Sequence, residues 1–212
     1  MEFYNFRKEI NVKDININQK ILDLPKNMTD IIYLEKAIRN EPDKLALLVI
    51  KPLNIKDFEM IKNWMIIKYS DIQFIFASQK ILTPMQVEIL YNDMVQDKIF
   101  LPKIKKFLSA YQTLFVVIKG LNCNTQERIN HLKEIRVNGK RQDGELRAYL
   151  RGAKYCYAVY KRWLEGEKNA YNKVFDDNTQ NLLSRNYILG NGIHTPDTNE
   201  EAVQVIKSLL LV

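Results

Sequence analysis

The sequence predicts an α+β fold in which helices cover a four-stranded antiparallel sheet of the split βαβ kind. Three observations carry that expectation. Leu45–Ile50 and residues 114–118 are short continuous apolar runs, LALLVI and LFVVI, of the sort found in strands buried on both faces. Residues 72–82 are rich in β-branched and aromatic side chains. Between these runs, apolar residues recur at helical spacing behind recognisable caps.

Taken in order, residues 1–43 mix both charges with scattered Ile and Leu and read as an N-terminal extension, with a helix over 30–39 capped by Asp30. The run Leu45–Ile50 stops at Lys51-Pro52, because proline cannot donate to a ladder; a lysine is left at the strand tip. Asp57 precedes Phe58, Ile61, Trp64, Met65 and Tyr69, an amphipathic helical stripe. Alternation in the next segment puts Ile72, Phe74 and Phe76 on one face and Gln73, Ile75 and Ala77 on the other. Thr83-Pro84-Met85-Gln86 is a capping box with proline at the first helical position, and the helix it opens is expected to turn Met85, Ile89, Leu90 and Met94 inward. A second helix covers about 101–110 with Ile104, Phe107 and Leu108 as its stripe. Strand 114–118 closes at Lys119-Gly120, and Thr125 begins a helix bearing Ile129, Leu132 and Ile135. Residues 137–144 are polar and turn-prone, and 146–185 read as mostly helical. A last strand is expected over 187–193, followed by a helix over Asn199–Leu210 with Ala202, Val205, Ile206 and Leu209 as its face. This arrangement is ferredoxin-like, and residues 44–212 form one domain interrupted by a basic, aromatic-rich insertion at about 148–186.

Composition bounds what such a chain does. It has 212 residues, 46% of them apolar and 27% charged, enough to bury a core without disulfides or metal. Two cysteines, Cys123 and Cys156, are too few for a disulfide framework or a structural zinc site, which points to a reducing, cytoplasmic setting. The longest apolar run is far short of a membrane span, and the N-terminus lacks the apolar core of a secretory signal, so no membrane partner is expected. A net charge of +7 favours anionic partners without choosing among them.

No P-loop, dinucleotide-binding glycine motif, H-E-x-x-H, cysteine pair or G-x-S-x-G is present. Histidine is scarce: His131 lies in a charged helix, and His194 stands at a strand end within Gly190-Asn-Gly-Ile-His-Thr-Pro-Asp197. Two separated segments, Ala46-Leu-Leu-Val-Ile-Lys-Pro52 and Asn191-Gly-Ile-His-Thr-Pro-Asp-Thr-Asn-Glu-Glu-Ala202, together resemble nucleoside diphosphate kinase, over roughly residues 44 to 210. The resemblance implies that His194 is the catalytic nucleophile, transferring a γ-phosphoryl group from a nucleoside triphosphate to a diphosphate by a ping-pong mechanism through a phosphohistidine. It implies nucleotide-binding roles for Lys51, Tyr91, Phe100, Arg128, Arg147 and Asn191, with Leu150-Arg151-Gly152 as an alternative frame that makes Arg151 the second phosphate arginine. Tyr91 would orient and Phe100 would stack on the base. Mg2+ would arrive on the β- and γ-phosphates with no protein cage. The chemistry is consistent: a neutral imidazole is a nucleophile, and phosphoryl transfer needs positioned positive charge and in-line geometry.

Each residue also has a plainer reading. Lys51 would solvate a strand end, Tyr91 and Phe100 would be core, Arg128 would pair with Glu127 or Glu134, and Asn191 would form a turn. The sequence also departs from the family pattern. The usual phosphate-contacting threonine falls near Glu134, with Arg136 as an electrostatic substitute; Pro196 stands where a serine is usual; and the glutamate that orients the imidazole falls near Val205, with Glu200, Glu201 and Asp197 as substitutes. A nucleotide-binding module that has lost turnover is therefore the alternative. The family's usual homo-oligomer is in doubt because the insertion replaces a contact region, and Lys161-Arg162-Trp163 within it is a candidate nucleic-acid or partner surface.

Overall fold

The computed structural model describes residues 22, 24–25, 28–98, 100–137, 140–147, 150 and 192–211. A helix α1 (Ile31–Asn40) leads into β1 (Leu45–Ile50), and α2 (Phe58–Lys68) returns to β2 (Ile72–Lys80). Two short helices follow, α3 (Pro84–Leu90) and α4 (Phe100–Leu108), before β3 (Thr113–Gly120) and α5 (Thr125–Lys133). A small hairpin of β4 (Glu134–Val137) and β5 (Lys140–Asp143) comes next, then β6 (Ile193–His194) and α6 (Asn199–Leu210). The main sheet has the order β2-β3-β1-β6 with antiparallel neighbours throughout. That is the ferredoxin-like arrangement the sequence predicts, with the two apolar runs at its centre.

Both faces of the sheet are covered, which is why β1 carries six apolar residues in a row, all of them buried. On one face Ala46, Leu48, Ile50, Val116 and Ile118 meet Phe58, Ile61 and Met65 of α2 and Ile129 and Leu132 of α5. On the other, Leu45, Leu47, Val49, Phe115 and Val117 meet α3, α4 and α6. Here α1 adds Leu34, Ala37 and Ile38 to the same core; Asp30 caps it by accepting from the Tyr33 amide at 3.0 Å. The capping box at Thr83 and Gln86 forms in both directions.

Several expectations require correction. In β2 the register slips between Phe74 and Phe76, so Ile75 and Phe76 both join the α3/α4 side, whereas Ile72, Phe74 and Ala77 stay with α2. One extra residue in a bulge reverses the alternation beyond it. Met85 is 72% exposed, because Val87 and Leu90, one turn apart, form the inward face of α3 instead. Ile135 lies in β4 rather than α5, and residues read as a polar turn pair with that strand: Gln142 faces Ile135, and Lys140 faces Val137. His194 stands at the end of the last strand, as expected. The expected strand residues 187–191, the insertion at about 148–186 apart from Leu150, and Lys161-Arg162-Trp163 fall outside the described residues.

Among the described residues no helix is long and apolar enough to cross a membrane.

Candidate functional site

The end of β1 and the short β6 meet at one edge of the sheet, where His194 pairs with Val49. Past β1, the Lys51 amide donates to the Gly192 carbonyl at 2.8 Å, and the Asn54 amide donates back to the Lys51 carbonyl at 2.9 Å. The chain then turns through a 3-10 segment that proline begins. Gly192 is at φ 68, and a Cβ there would sit 2.8 Å from Leu150 Cδ1 and 3.1 Å from Asn54 Oδ1, so glycine permits both the turn and the close approach. These contacts fix where His194 emerges relative to Lys51.

Lys51, at a strand tip, is only 1% exposed, and its ammonium stands 5.5 Å from the centroid of the Tyr91 ring. Tyr91 closes α3 and stacks on His194, with ring centroids 4.4 Å apart at 37°. Lysine, tyrosine and histidine thus form one column. Two polar atoms within it, Tyr91 Oη and His194 Nε2, are out of contact with solvent and have no hydrogen-bond partner. Burial drives the His194 imidazole well below its ordinary 6.5, helped by the positive charges of Lys133, Lys51 and Arg147; a backbone hydrogen bond at Leu90 acts the other way. Burial likewise raises the Tyr91 phenol, against the field of Arg147. The column sets an imidazole held low by burial beside the Tyr91 ring and the Lys51 ammonium, in the field of Lys133 and Arg147.

The structure brings together Lys51, Tyr91 and His194, and the positive charge of Arg147 acts on both rings. Phe100 begins α4, and Asn191 and Arg151 lie outside the described residues. Arg128 does not join the column. Its guanidinium makes a bidentate pair with Asp71 at 2.6 and 2.8 Å and lies 5.2 Å over the Tyr69 ring. Asp71 precedes β2, whose first residue faces Gly120, so Arg128 is committed at the end of the sheet opposite Val49 and His194.

Three residues that the sequence reading passed over hold the segment after His194. Gln126, 0% exposed, accepts from the Leu47 amide at 2.8 Å and donates to the Pro196 carbonyl at 2.9 Å. Asn130 donates to the Asp197 carbonyl and accepts from the Thr195 hydroxyl, both at 2.7 Å. Lys133 donates to the Thr195 carbonyl at 2.8 Å and pairs with the Asp197 carboxylate. The spacing 126, 130, 133 is one helical face, and this polar stripe was the available signal. Pro196 thus serves through its carbonyl, and Val205 is buried in the core, without a carboxylate for the imidazole. Glu201 accepts from the Asp197 amide at 2.7 Å and so braces the turn instead of the ring.

No protein-family model matches the sequence, and no curated protein matches it. Solved structures similar to this one are nucleoside diphosphate kinases. That of Aquifex aeolicus is 15% identical with a TM-score of 0.44 over 77% of this chain and 92% of its own. That of Pyrobaculum aerophilum is 13% identical with a TM-score of 0.48 over 78% and 94%. That of Borrelia burgdorferi, a transition-state mimic with bound vanadate and ADP, is 16% identical with a TM-score of 0.46 over 78% and 85%. Likeness at this level decides nothing about chemistry, and the fold class stands on the sheet order and helix placement themselves.

Proposed function

We propose that the chain is a phosphotransferase that moves the γ-phosphoryl group of a nucleoside triphosphate to a nucleoside diphosphate through phospho-His194. The observation that carries this reading is the buried, uncharged imidazole with a bare Nε2, stacked on Tyr91 and surrounded by Lys51, Lys133 and Arg147. The Nε2 lone pair forms the N–P bond while the bond from phosphorus to the bridging oxygen breaks, and its electron pair leaves with the diphosphate. An incoming diphosphate oxygen then reverses the step and restores the neutral imidazole. Lys51 and Arg147 offset the charge on the transferring oxygens, and the Tyr91 hydroxyl gains the partner it lacks. The groups acting on His194 are cations, so this donor set supplies no Mg2+ ligand; the ion would arrive with the nucleotide and offset phosphate charge.

The test is incubation with γ-labelled ATP and Mg2+, followed by a chase with a second nucleoside diphosphate. Acid-labile, base-stable label on the wild type and none on His194→Ala, released as labelled triphosphate, is the expected result. Nucleotide binding without label would reject transfer. That outcome would favour the second reading, a nucleotide-binding module, which the commitment of Arg128 to Asp71 supports.

A further inference from the structure

We infer that Gln126 is a positioning residue for His194: its side-chain amide stands in the β1–β6 ladder where a backbone rung between Leu47 and Pro196 belongs, and it turns the chain off the sheet directly after the histidine. The inference rests on the proposed transfer through His194 and concerns how the ring is held rather than what it meets. Val49 faces His194 and Ile50 faces Ile193, with the Lys51 amide donating to the Gly192 carbonyl at 2.8 Å. In an antiparallel ladder every second residue turns its N–H and C=O to the same neighbour, so Lys51, Val49 and Leu47 all address the β6 side. The rung after Val49–His194 therefore belongs to Leu47 and Pro196, and β6 stops before it.

Gln126 takes that place from both sides. Its Oε1 accepts from the Leu47 amide at 2.8 Å, and its Nε2 donates to the Pro196 carbonyl at 2.9 Å, so the side-chain amide lies between the two groups that a direct rung would join. Proline suits the position, since without an N–H it could supply only one of the two bonds of a rung. The second Nε2 donor goes to Asn130 Oδ1 at 3.0 Å, and the same oxygen accepts from the Thr195 hydroxyl, which ties the wedge to the residue that follows the histidine. Farther along the edge Asn199 of α6 donates to the Leu45 carbonyl at 2.9 Å, so side chains complete β1 where β6 has left it. His194 is thus the last residue of β6 that pairs with β1, and the direction in which the chain leaves it sets where its ring meets Tyr91, 4.4 Å away between centroids. Without the amide, the Leu47 N–H and the Pro196 carbonyl are each left needing a partner and find one another, which draws residues 195–197 onto β1 and the ring off Tyr91.

The test compares the full chain with Gln126→Met, which fills the space without an amide, and with Gln126→Met/Pro196→Ala, which regains the N–H that a direct rung needs. The sequence holds two histidines, so an NMR titration reads the His194 ring separately, with the exposed His131 as internal control. In Gln126→Met the His194 titration moves up toward 6.5 as the ring leaves its buried place. Labelling from saturating γ-labelled ATP slows by about tenfold to a hundredfold, the scale of a misplaced reacting group, while the dissociation constant for ATP changes by less than about threefold. The double variant recovers thermal stability but neither the titration nor the labelling rate, because a direct rung mends the hydrogen bonds and keeps the chain on β1. It carries the test where Gln126→Met does not fold. An unchanged His194 titration in these variants, or labelling that returns together with stability in the double variant, would overturn the role of Gln126 while leaving a labelled wild type intact. A wild type that takes no label rejects the transfer reading, and the His194 titration then decides by itself whether Gln126 positions the ring.

Discussion

Replacing His194 by asparagine, which cannot titrate, isolates the energetic cost of burying an uncharged imidazole. In the folded chain His194 titrates well below 6.5, the ordinary value it regains on unfolding. Between those two values the unfolded chain holds the extra proton and the folded chain does not. Stability attributable to this group is therefore complete above about pH 6.5 and falls as pH drops, at about 1.4 kcal/mol per unit, until the folded imidazole itself protonates. Over that window the Tm of the wild type falls faster than that of His194→Asn, by about 2–4 °C for each kcal/mol of difference in a chain of this size. Carboxylates contribute at lower pH. Asp71 and Glu41 are held below 3.8 and 4.5 by hydrogen bonds from Arg128 and Lys119, so their stabilisation disappears as pH falls through the carboxylate range, equally in both proteins. Thermal or urea unfolding of wild type and His194→Asn at half-unit steps measures the difference directly. Parallel stability curves between pH 7 and 5 would refute a buried neutral imidazole, and with it the nucleophile argument.

Three further substitutions probe the surroundings of the column. Gly192→Ala forces a left-handed backbone on a residue with Cβ and presses it against Leu150 and Asn54; a loss of about 2–4 kcal/mol in urea unfolding is expected. Gly144→Ala is worse, because its Cβ would lie 2.1 Å from the His131 carbonyl oxygen and 2.5 Å from the Leu132 carbonyl carbon, both backbone atoms that no rotamer change can move. Overpacking of about 3 kcal/mol or more is expected there, read as a collapse in soluble yield or Tm. Tyr91→Phe keeps the stack and deletes a buried hydroxyl without a partner, so the unliganded protein should gain about 1 kcal/mol while labelling of His194 slows. A Tyr91→Phe protein that loses stability would show that the hydroxyl is satisfied in solution.

The fold was legible where burial leaves a strong mark on sequence. Runs such as Leu45–Ile50 announce a strand covered on both faces, and Thr83, Pro84 and Gln86 announce a helix start because their backbone roles demand those residues. The bulge in β2 was not legible, since inserting one residue changes a ladder without changing composition. The β4–β5 hairpin was masked by a competing helical period, with Ile129, Leu132 and Ile135 spaced for one helix face. In the site, Lys51, Tyr91 and His194 were visible through order along the chain. Gln126, Asn130 and Lys133 were not, because a polar residue looks the same in sequence whether it faces water or a buried turn. The Asp71–Arg128 pair joins residues 57 apart, a contact that no local pattern records.

The difference between Arg128 and Lys133 is a difference of place as much as of residue. Both lie on α5, whose apolar face, Ile129 and Leu132, is fixed against the sheet, so the helix cannot slide to exchange one for the other. A cation at 128 faces the start of β2, and a cation at 133 faces the turn after His194. The Asp71 carboxylate anchors the first so firmly in geometry that freeing it would strand a partly buried acid, and Tyr69 covers the guanidinium besides. Among the described residues, the positive charges that lower the His194 imidazole are those of Lys133, Lys51 and Arg147, and Arg128 is not one of them.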